Sequence, residues 1–265
     1  MSTPRFGVVG LGRMARALLL PLFDAGLVAP GDVRAAVASQ ASAERLASAH
    51  GLSVSTDPTA AWAAPVVLLA VKPQQLDAVA QAAPQDRGGL LISVLAGVTL
   101  ERLQRLLPAW RCVRAVPNTP ALVQSGLTGL AFAGAVSDQE RQWVRELFAR
   151  VGEVSELPEA QLDAFLGLTS SGPAFLALVA EAMADGAVAA GLPRQLAHHL
   201  AHRTMAGTAA LLDQQQLHPG QLKDMVSSPG GTTIAGLREL ERLGLRAALF
   251  EAVLRAAERS RELSG

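Results

Sequence analysis

Phe6-Gly7-Val8-Val9-Gly10-Leu11-Gly12-Arg13-Met14-Ala15 runs from a short apolar strand, through two closely spaced glycines, into the start of a helix. That context gives the GxGxxA pattern its meaning. Gly10 permits the tight turn, Gly12 lets the backbone approach a pyrophosphate, and Ala15 keeps helix and strand close. Leu11 and Met14 complete the fingerprint. At the end of an N-terminal strand the turn points to a bound dinucleotide, with a purely structural glycine turn as the alternative. Arg13 either adds charge near a phosphate or is simply solvated.

Outward from this turn, short β-type runs alternate with helical periods, the pattern of a parallel sheet covered by helices. Strands are expected near Phe6 to Val9, Val33 to Ala38, Val66 to Val71, Leu90 to Val94 and Cys112 to Val116, with Val151 to Leu157 as a candidate last strand. A capped helix is expected after Thr99, and another from about Ser137 to Arg150. After Pro158 the β-branched runs vanish and alanine and leucine take over at helical spacing. Gly172-Pro173 opens a long helix there, and others are expected over Arg194 to Leu212, His218 to Ser227, Pro229 to Leu243 and Leu245 to Leu263. The expected fold class is α/β: a Rossmann-type doubly wound sheet over residues 1–158, then an all-α domain over residues 159–265. Apolar helices in so short a domain need a partner subunit to cover their faces, so a homo-oligomer is expected.

Composition narrows the partners. The chain has 265 residues, with 23 basic against 23 acidic side chains, and so lacks the excess of basic charge that nucleic-acid binding displays. The run from Arg5 into the first strand lacks the long apolar core of a signal peptide. The apolar run Val66 to Val71 is too short for a bilayer, and later apolar segments are interrupted by Glu181 and Asp185. No membrane partner is expected. Cys112 is the single cysteine and cannot form an internal disulfide, so a reducing compartment is expected, the cytoplasm by default.

NAD-selective proteins place a carboxylate after the second strand, against the ribose hydroxyls. Here that strand runs into Ser39-Gln40-Ala41-Ser42, with no acid. Ser39, Gln40 and Arg45 are the candidates to meet a 2′-phosphate, so NADPH is expected, with NADH possible. Two further loops, Ala70-Val71-Lys72-Pro73 and Ala96-Gly97, follow strands and complete the cofactor crevice, with Asn118 in the rigid turn Pro117-Asn118-Thr119-Pro120 beyond. Lys72 is either a catalytic group or a solvated, phosphate-side charge. His198 and His202 share a helix face but lack a third ligand, so no metal is expected.

Near the other end, Ser227-Ser228-Pro229-Gly230-Gly231-Thr232-Thr233 reads as a bare helix N-terminus surrounded by hydroxyls. Ser228 suits the N-cap and Pro229 the first helical position, leaving the N–H groups around Gly230 and Gly231 open to a carboxylate. An ordinary capped helix is the alternative.

Together these segments resemble pyrroline-5-carboxylate reductase over nearly the whole chain. The matching pieces are Gly10 to Ala15, AVKPQ at Ala70 to Gln74, ISVLAGVTLERL at Ile92 to Leu103, VPNTPALV at Val116 to Val123, SSGPAF at Ser170 to Phe175, and HPGQLKDMVSSPGGTTIAGL at His218 to Leu237. The resemblance implies reduction of 1-pyrroline-5-carboxylate to proline with NADPH or NADH, by a homodimer joined through its helical domain, with decamers common. It implies substrate contacts at Met225, Val226, Ser228, Gly230, Gly231 and Thr232, with Thr233 as the catalytic residue at the ring nitrogen. Ser170 and Phe175 depart from the family's glycine and tyrosine, and Asp57-Pro58 stands where relatives offer an asparagine. Two rivals are a non-catalytic dinucleotide-binding paralogue and a β-hydroxyacid dehydrogenase of the same plan. The latter generally uses a lysine on the long helix, and Gly172 to Gly191 contains none.

Overall fold

The computed structural model describes Phe6 to Ser264; residues 1–5, where no leader is expected, and Gly265 lie outside the described residues. One eight-stranded sheet carries the order β3-β2-β1-β4-β5-β6-β7-β8. Its strands are β1 (Phe6–Val9), β2 (Val33–Ala36), β3 (Ser53–Ser55), β4 (Val66–Leu69), β5 (Leu90–Ser93), β6 (Arg111–Pro117), β7 (Gly126–Phe132) and β8 (Gly152–Glu156). β1 lies between β2 and β4, with Val8 beside Ala35 on one side and Leu68 on the other. The sheet grows outward from β1 in both directions, so a crevice forms beyond the carboxyl ends of β1, β2 and β4. β1, β4 and β5 are buried throughout, as strands covered on both faces must be.

The helices of this half are α1 (Arg13–Asp24), α2 (Gln40–His50), α3 (Thr59–Trp62), α4 (Leu76–Ala80), α5 (Leu100–Leu106), α6 (Asp138–Ala149) and α7 (Leu162–Thr169). α1 turns Leu18, Leu19 and Leu22 fully inward, each worth about 2 kcal/mol of apolar transfer. α5 and α6 begin where their caps are expected. Thr99 Oγ1 accepts the N–H of Arg102, and Ser137 with Glu140 forms a reciprocal capping box.

Three features differ from the sequence expectation. β2 and β4 stop at Ala36 and Leu69, two residues early, because the chain there bends away to line the crevice. β3 is a three-residue edge strand, exposed at both ends, with too little burial to imprint a pattern. β7 runs antiparallel to β6, through Ala115 and Leu130, yet parallel to β8. Its glycines hide it: a Cβ on Gly129 would meet Leu162 and Phe165 of α7.

By contacts the chain forms two units, one running up to Ser170 and taking in Ala256 onward, the other Ser171–Arg255. α7 thus belongs with the sheet, although its composition reads like that of the helices after it. The second unit holds α8 (Gly172–Ala189), α9 (Arg194–Gln214), α10 (Pro219–Met225), α11 (Thr232–Arg242) and most of α12 (Leu245–Ser264). Its own core is small, Ala184, Ala197 and Ala201 where α8 meets α9. Leu178, Leu243 and Phe250 are each more than 60% exposed. Residues 159–189 have the length and apolarity to cross a bilayer by composition alone, and only 17% of that window is buried within the chain.

Arg114 is the one arginine fully buried among the described residues. From β6 it donates to Glu159 Oε1 (3.1 Å) and Asp163 Oδ1 (3.3 Å). Glu159 also accepts the N–H of Leu100 at the start of α5, and Asp163 accepts the Ser260 hydroxyl of α12 at 2.6 Å. One cation thereby joins the sheet to three helical segments. Removing it strands two carboxylates, so Arg114→Met is expected to cost about 3–5 kcal/mol, read as a lowered urea midpoint. Cys112, wholly buried in β6, has its thiol pushed up to about 12 by desolvation. It should stay inert to Ellman's reagent at pH 8 in the folded protein and react at once in denaturant.

Candidate active site

The crevice is a cleft of about 490 Å³, within the span of small-molecule sites. The turn Gly10 to Arg13 forms its floor, the end of β2 with Ser42 and Arg45 of α2 one wall, and Ala70 to Lys72 with Gln75 the other. Gly10 has φ +96, and a Cβ there would lie 2.6 Å from the Ala70 carbonyl oxygen, so only glycine can leave β1 along this path. Gly12 differs. Its φ of −79 suits any residue, and a Cβ on it would touch nothing within 4 Å. Neither backbone strain nor internal packing requires glycine here; an open approach from the cleft does. Gly12 is also the N-cap of α1 and offers no side chain to its first N–H groups, which stay available to an anion. The cleft therefore fits a dinucleotide pyrophosphate at its floor.

Of the expected cofactor residues, Gly10, Leu11, Gly12, Arg13, Ala70, Val71 and Lys72 line the cleft. Ala15 is buried behind the turn, and Met14 packs against the core. Ser39 spends its hydroxyl capping α2, accepting the Ser42 N–H at 3.3 Å, and Gln40 donates to Glu44 at 2.9 Å. Pro73 starts a 3-10 turn, and Ala96 is exposed beyond β5. Asn118 is buried; its amide donates to the Thr169 carbonyl and its oxygen accepts the Leu127 N–H, so it braces β7 against α7. Sequence reasoning passed over Arg16, Ser42 and Thr56, which also line the cleft. One signal was available: Ser42 and Arg45 follow Ser39 at one-turn steps, which places them on one side of α2. Asp57, beside Thr56, accepts both the N–H and the hydroxyl of Thr59, and the hydroxyl bond first, then the backbone one, holds its carboxyl below the usual range.

The helix end near residue 230 departs from its expected form. The N-cap is Gly231 and the first helical residue Thr232, not Ser228 and Pro229. Ser228 to Gly231 form a turn closed by the Gly231 N–H on the Ser228 carbonyl at 3.0 Å, with Pro229 second and Gly230, at φ +69, third. That is the residue pattern of a type II turn, which takes precedence over proline's preference for a helix start. The Gly231 N–H is thus occupied. The unclaimed donors begin with the N–H groups of Thr232 and Thr233, since no side chain caps α11. A Cβ on Gly231 would fall on Ser228 Oγ, so that hydroxyl lies directly over the helix start. Thr233 is half-buried, while Met225 and Val226 at the end of α10 are exposed. Ser227 Oγ is buried and makes no hydrogen bond among the described residues.

The comparisons with known proteins bear on both halves. A family model described as pyrroline-5-carboxylate reductase dimerisation matches residues 159–263, and one described as NADP oxidoreductase, coenzyme F420-dependent, matches residues 5–97. A pyrroline-5-carboxylate reductase of Synechocystis sp. is 44% identical over 261 residues, covering 98% of each chain. Among solved structures, a pyrroline-5-carboxylate reductase of Coxiella burnetii is 31% identical at a TM-score of 0.87, with both chains covered in full. The pyrroline carboxylate reductase of Plasmodium falciparum, solved with NADP bound, reaches a TM-score of 0.90 at 26% identity, also in full. With the glycine turn, the cleft and the uncapped α11 all in place within a near-full-length match, the chain belongs to the pyrroline-5-carboxylate reductase family.

Proposed function

We propose that this protein reduces the C=N bond of 1-pyrroline-5-carboxylate to L-proline by hydride transfer from NADPH, the last step of proline biosynthesis. The observation that carries this reading is the uncapped start of α11, where Thr232 and Thr233 offer backbone and hydroxyl donors behind a tight turn. The substrate is a small carboxylate bearing a cyclic imine. Its carboxylate suits the free N–H groups of Thr232 and Thr233 and the Ser228 hydroxyl, with Gly230 and Gly231 keeping the approach open. Met225 and Val226 supply apolar surface for the ring. Thr233 hydrogen-bonds the ring nitrogen and holds the proton there. A strong acid is not needed, because a cyclic imine arrives protonated from water and the iminium already accepts hydride.

Gly10 to Arg13, with Ala70 to Lys72, Ser42 and Arg45 around them, form the cofactor half, Met14 and Ala15 backing the turn while Ser39 and Gln40 serve α2 and Asn118 braces β7. The turn cradles the pyrophosphate, and Ala70 to Lys72 flank the nicotinamide side. A bound NADPH supplies the hydride; the protein's share is orientation and the exclusion of water. NADH serves as a weaker donor. Ser170, where the resemblance implies a glycine, is accommodated by a bond from its hydroxyl to the Pro117 carbonyl at 3.4 Å.

The apolar faces of α8 to α12, and the low burial of residues 159–189, are best explained by a second copy rather than by lipid. A homodimer through these helices, assembling further to a decamer, accounts for them. A cytoplasmic place and no nucleic-acid partner fit the neutral charge balance.

Purified protein should oxidise NADPH with pyrroline-5-carboxylate and should not reduce NADP with 3-hydroxy acids; the reverse result would overturn the reading. Thr233→Ala should lower kcat/KM for the imine by about 10–100-fold, the loss of one hydrogen bond to a charged group, and leave NADPH affinity within about twofold. Sedimentation should show a dimer or larger, and Leu178→Glu should shift the population toward monomer.

A further inference from the structure

The loop that follows β5 shows a single exposed side chain. Leu95, Gly97 and Val98 are buried, and Ala96 stands out between them. Residues 94–99 are not part of the cleft lining, but they begin against it. The Val94 N–H donates to the Leu69 carbonyl at 3.0 Å, just ahead of Ala70 to Lys72, which form one wall.

Two contacts from distant segments fix this loop, and both lead back to Arg114. Where the loop passes into α5, the Leu100 N–H donates to Glu159 Oε1 at 2.7 Å, the same oxygen that takes Arg114 Nη1 at 3.1 Å. Over its middle lies the last turn of α12. Gly97 has φ +69, and a Cβ on it would fall 2.8 Å from Leu263 Cβ and 3.1 Å from the Leu263 carbonyl carbon. One turn earlier Ser260, buried, donates its hydroxyl to Asp163 Oδ1 at 2.6 Å, and that oxygen also takes Arg114 Nη2 at 3.3 Å. Apolar packing is not what docks this helix end. Leu263 keeps 48% of its surface exposed and meets the loop with its Cβ and backbone, while the anchor is the polar bond from Ser260.

We propose that Ser260 and Leu263 are positioning residues for hydride transfer: the last turn of α12 sets the place of residues 94–99, with Ala96 at their crest, along the nicotinamide end of the bound cofactor. The proposal rests on the reductase reading and extends its machinery to a helix end that touches no reacting atom. In a doubly wound sheet the adenosine lies toward β2, so a loop beyond β4, on the opposite side of β1, borders the nicotinamide. Hydride transfer is sensitive to such placement, because a shift of about 1 Å in a bound group can cost roughly 100-fold in rate. Ser260 and Leu263 act through Gly97, whose missing side chain lets the helix end come this close.

Calorimetric titration with NADPH and with 2′-phospho-ADP-ribose, which lacks the nicotinamide, separates this role from general stability. Ser260→Ala and Leu263→Gly should each weaken NADPH binding by about 3–30-fold and leave the fragment within about twofold, with a far-UV circular dichroism spectrum like that of the wild type. Turnover number with the imine should fall in the same variants. Should Ser260→Ala fail to fold, Leu263→Gly carries the test, because it removes the Cβ over Gly97 at the cost of a half-exposed side chain. An equal loss for both ligands in a folded variant would overturn the positioning role, and so would no loss for either. Imine turnover tells the two readings apart. A wild type that shows this binding pattern and leaves pyrroline-5-carboxylate unreduced would strike the reductase reading and keep α12 as the element that places the nicotinamide loop.

Discussion

No side chain fits at Gly10. β1 ends against the backbone of Ala70, and the chain escapes only by taking a positive φ beside that carbonyl. β1 lies between β2 and β4, so this close approach holds the end of β1 against the loop after β4, one side of the cleft. Gly12, two residues on, is free of any such demand from its neighbours. The two glycines divide the labour: one permits the fold, and the other leaves room for a ligand.

A second constraint acts at the far side of the sheet. Arg114 is buried in β6, where Glu159 and Asp163 meet its charge through Nη1 and Nη2, and its Nε has no partner among the described residues. Burying three charges gains little net stability, but it penalises any arrangement in which one is left alone. The network thus acts on specificity of folding. It fixes α5, α7 and the end of α12 against β6, and Leu263 of α12 then packs over Gly97 in the loop after β5. Asn118 extends the same bracing toward β7 and α7.

The legible parts of the chain were those in which neighbours in sequence are also partners in space. The strands β1, β2, β4, β5 and β6 announce themselves as apolar runs, and Ser137 with Glu140 signals its own helix. β7 escaped notice because its Gly129 answers to α7, a helix more than thirty residues later, and because an antiparallel return in a parallel sheet has no local mark. At Ser228 two local preferences competed. Proline favours both a helix start and the second place of a turn, and the positive φ available to Gly230 tipped the balance to the turn. That shift moves the free donors onto the threonines.

Composition, the GxGxxA context and the long C-terminal match were enough to read a dinucleotide fold joined to a helical domain, because periodicity and turn chemistry are local properties written residue by residue. Which polar groups remain free was not written there. Ser39 and Gln40 looked available and are used by their own helix, while Arg13, left open between a phosphate and solvent, and Arg45, named with them for the 2′-phosphate, line the cleft. A hydrogen bond or ion pair is settled by who else lies within about 3 Å, and that set of neighbours comes into being only when distant segments are brought together by the fold.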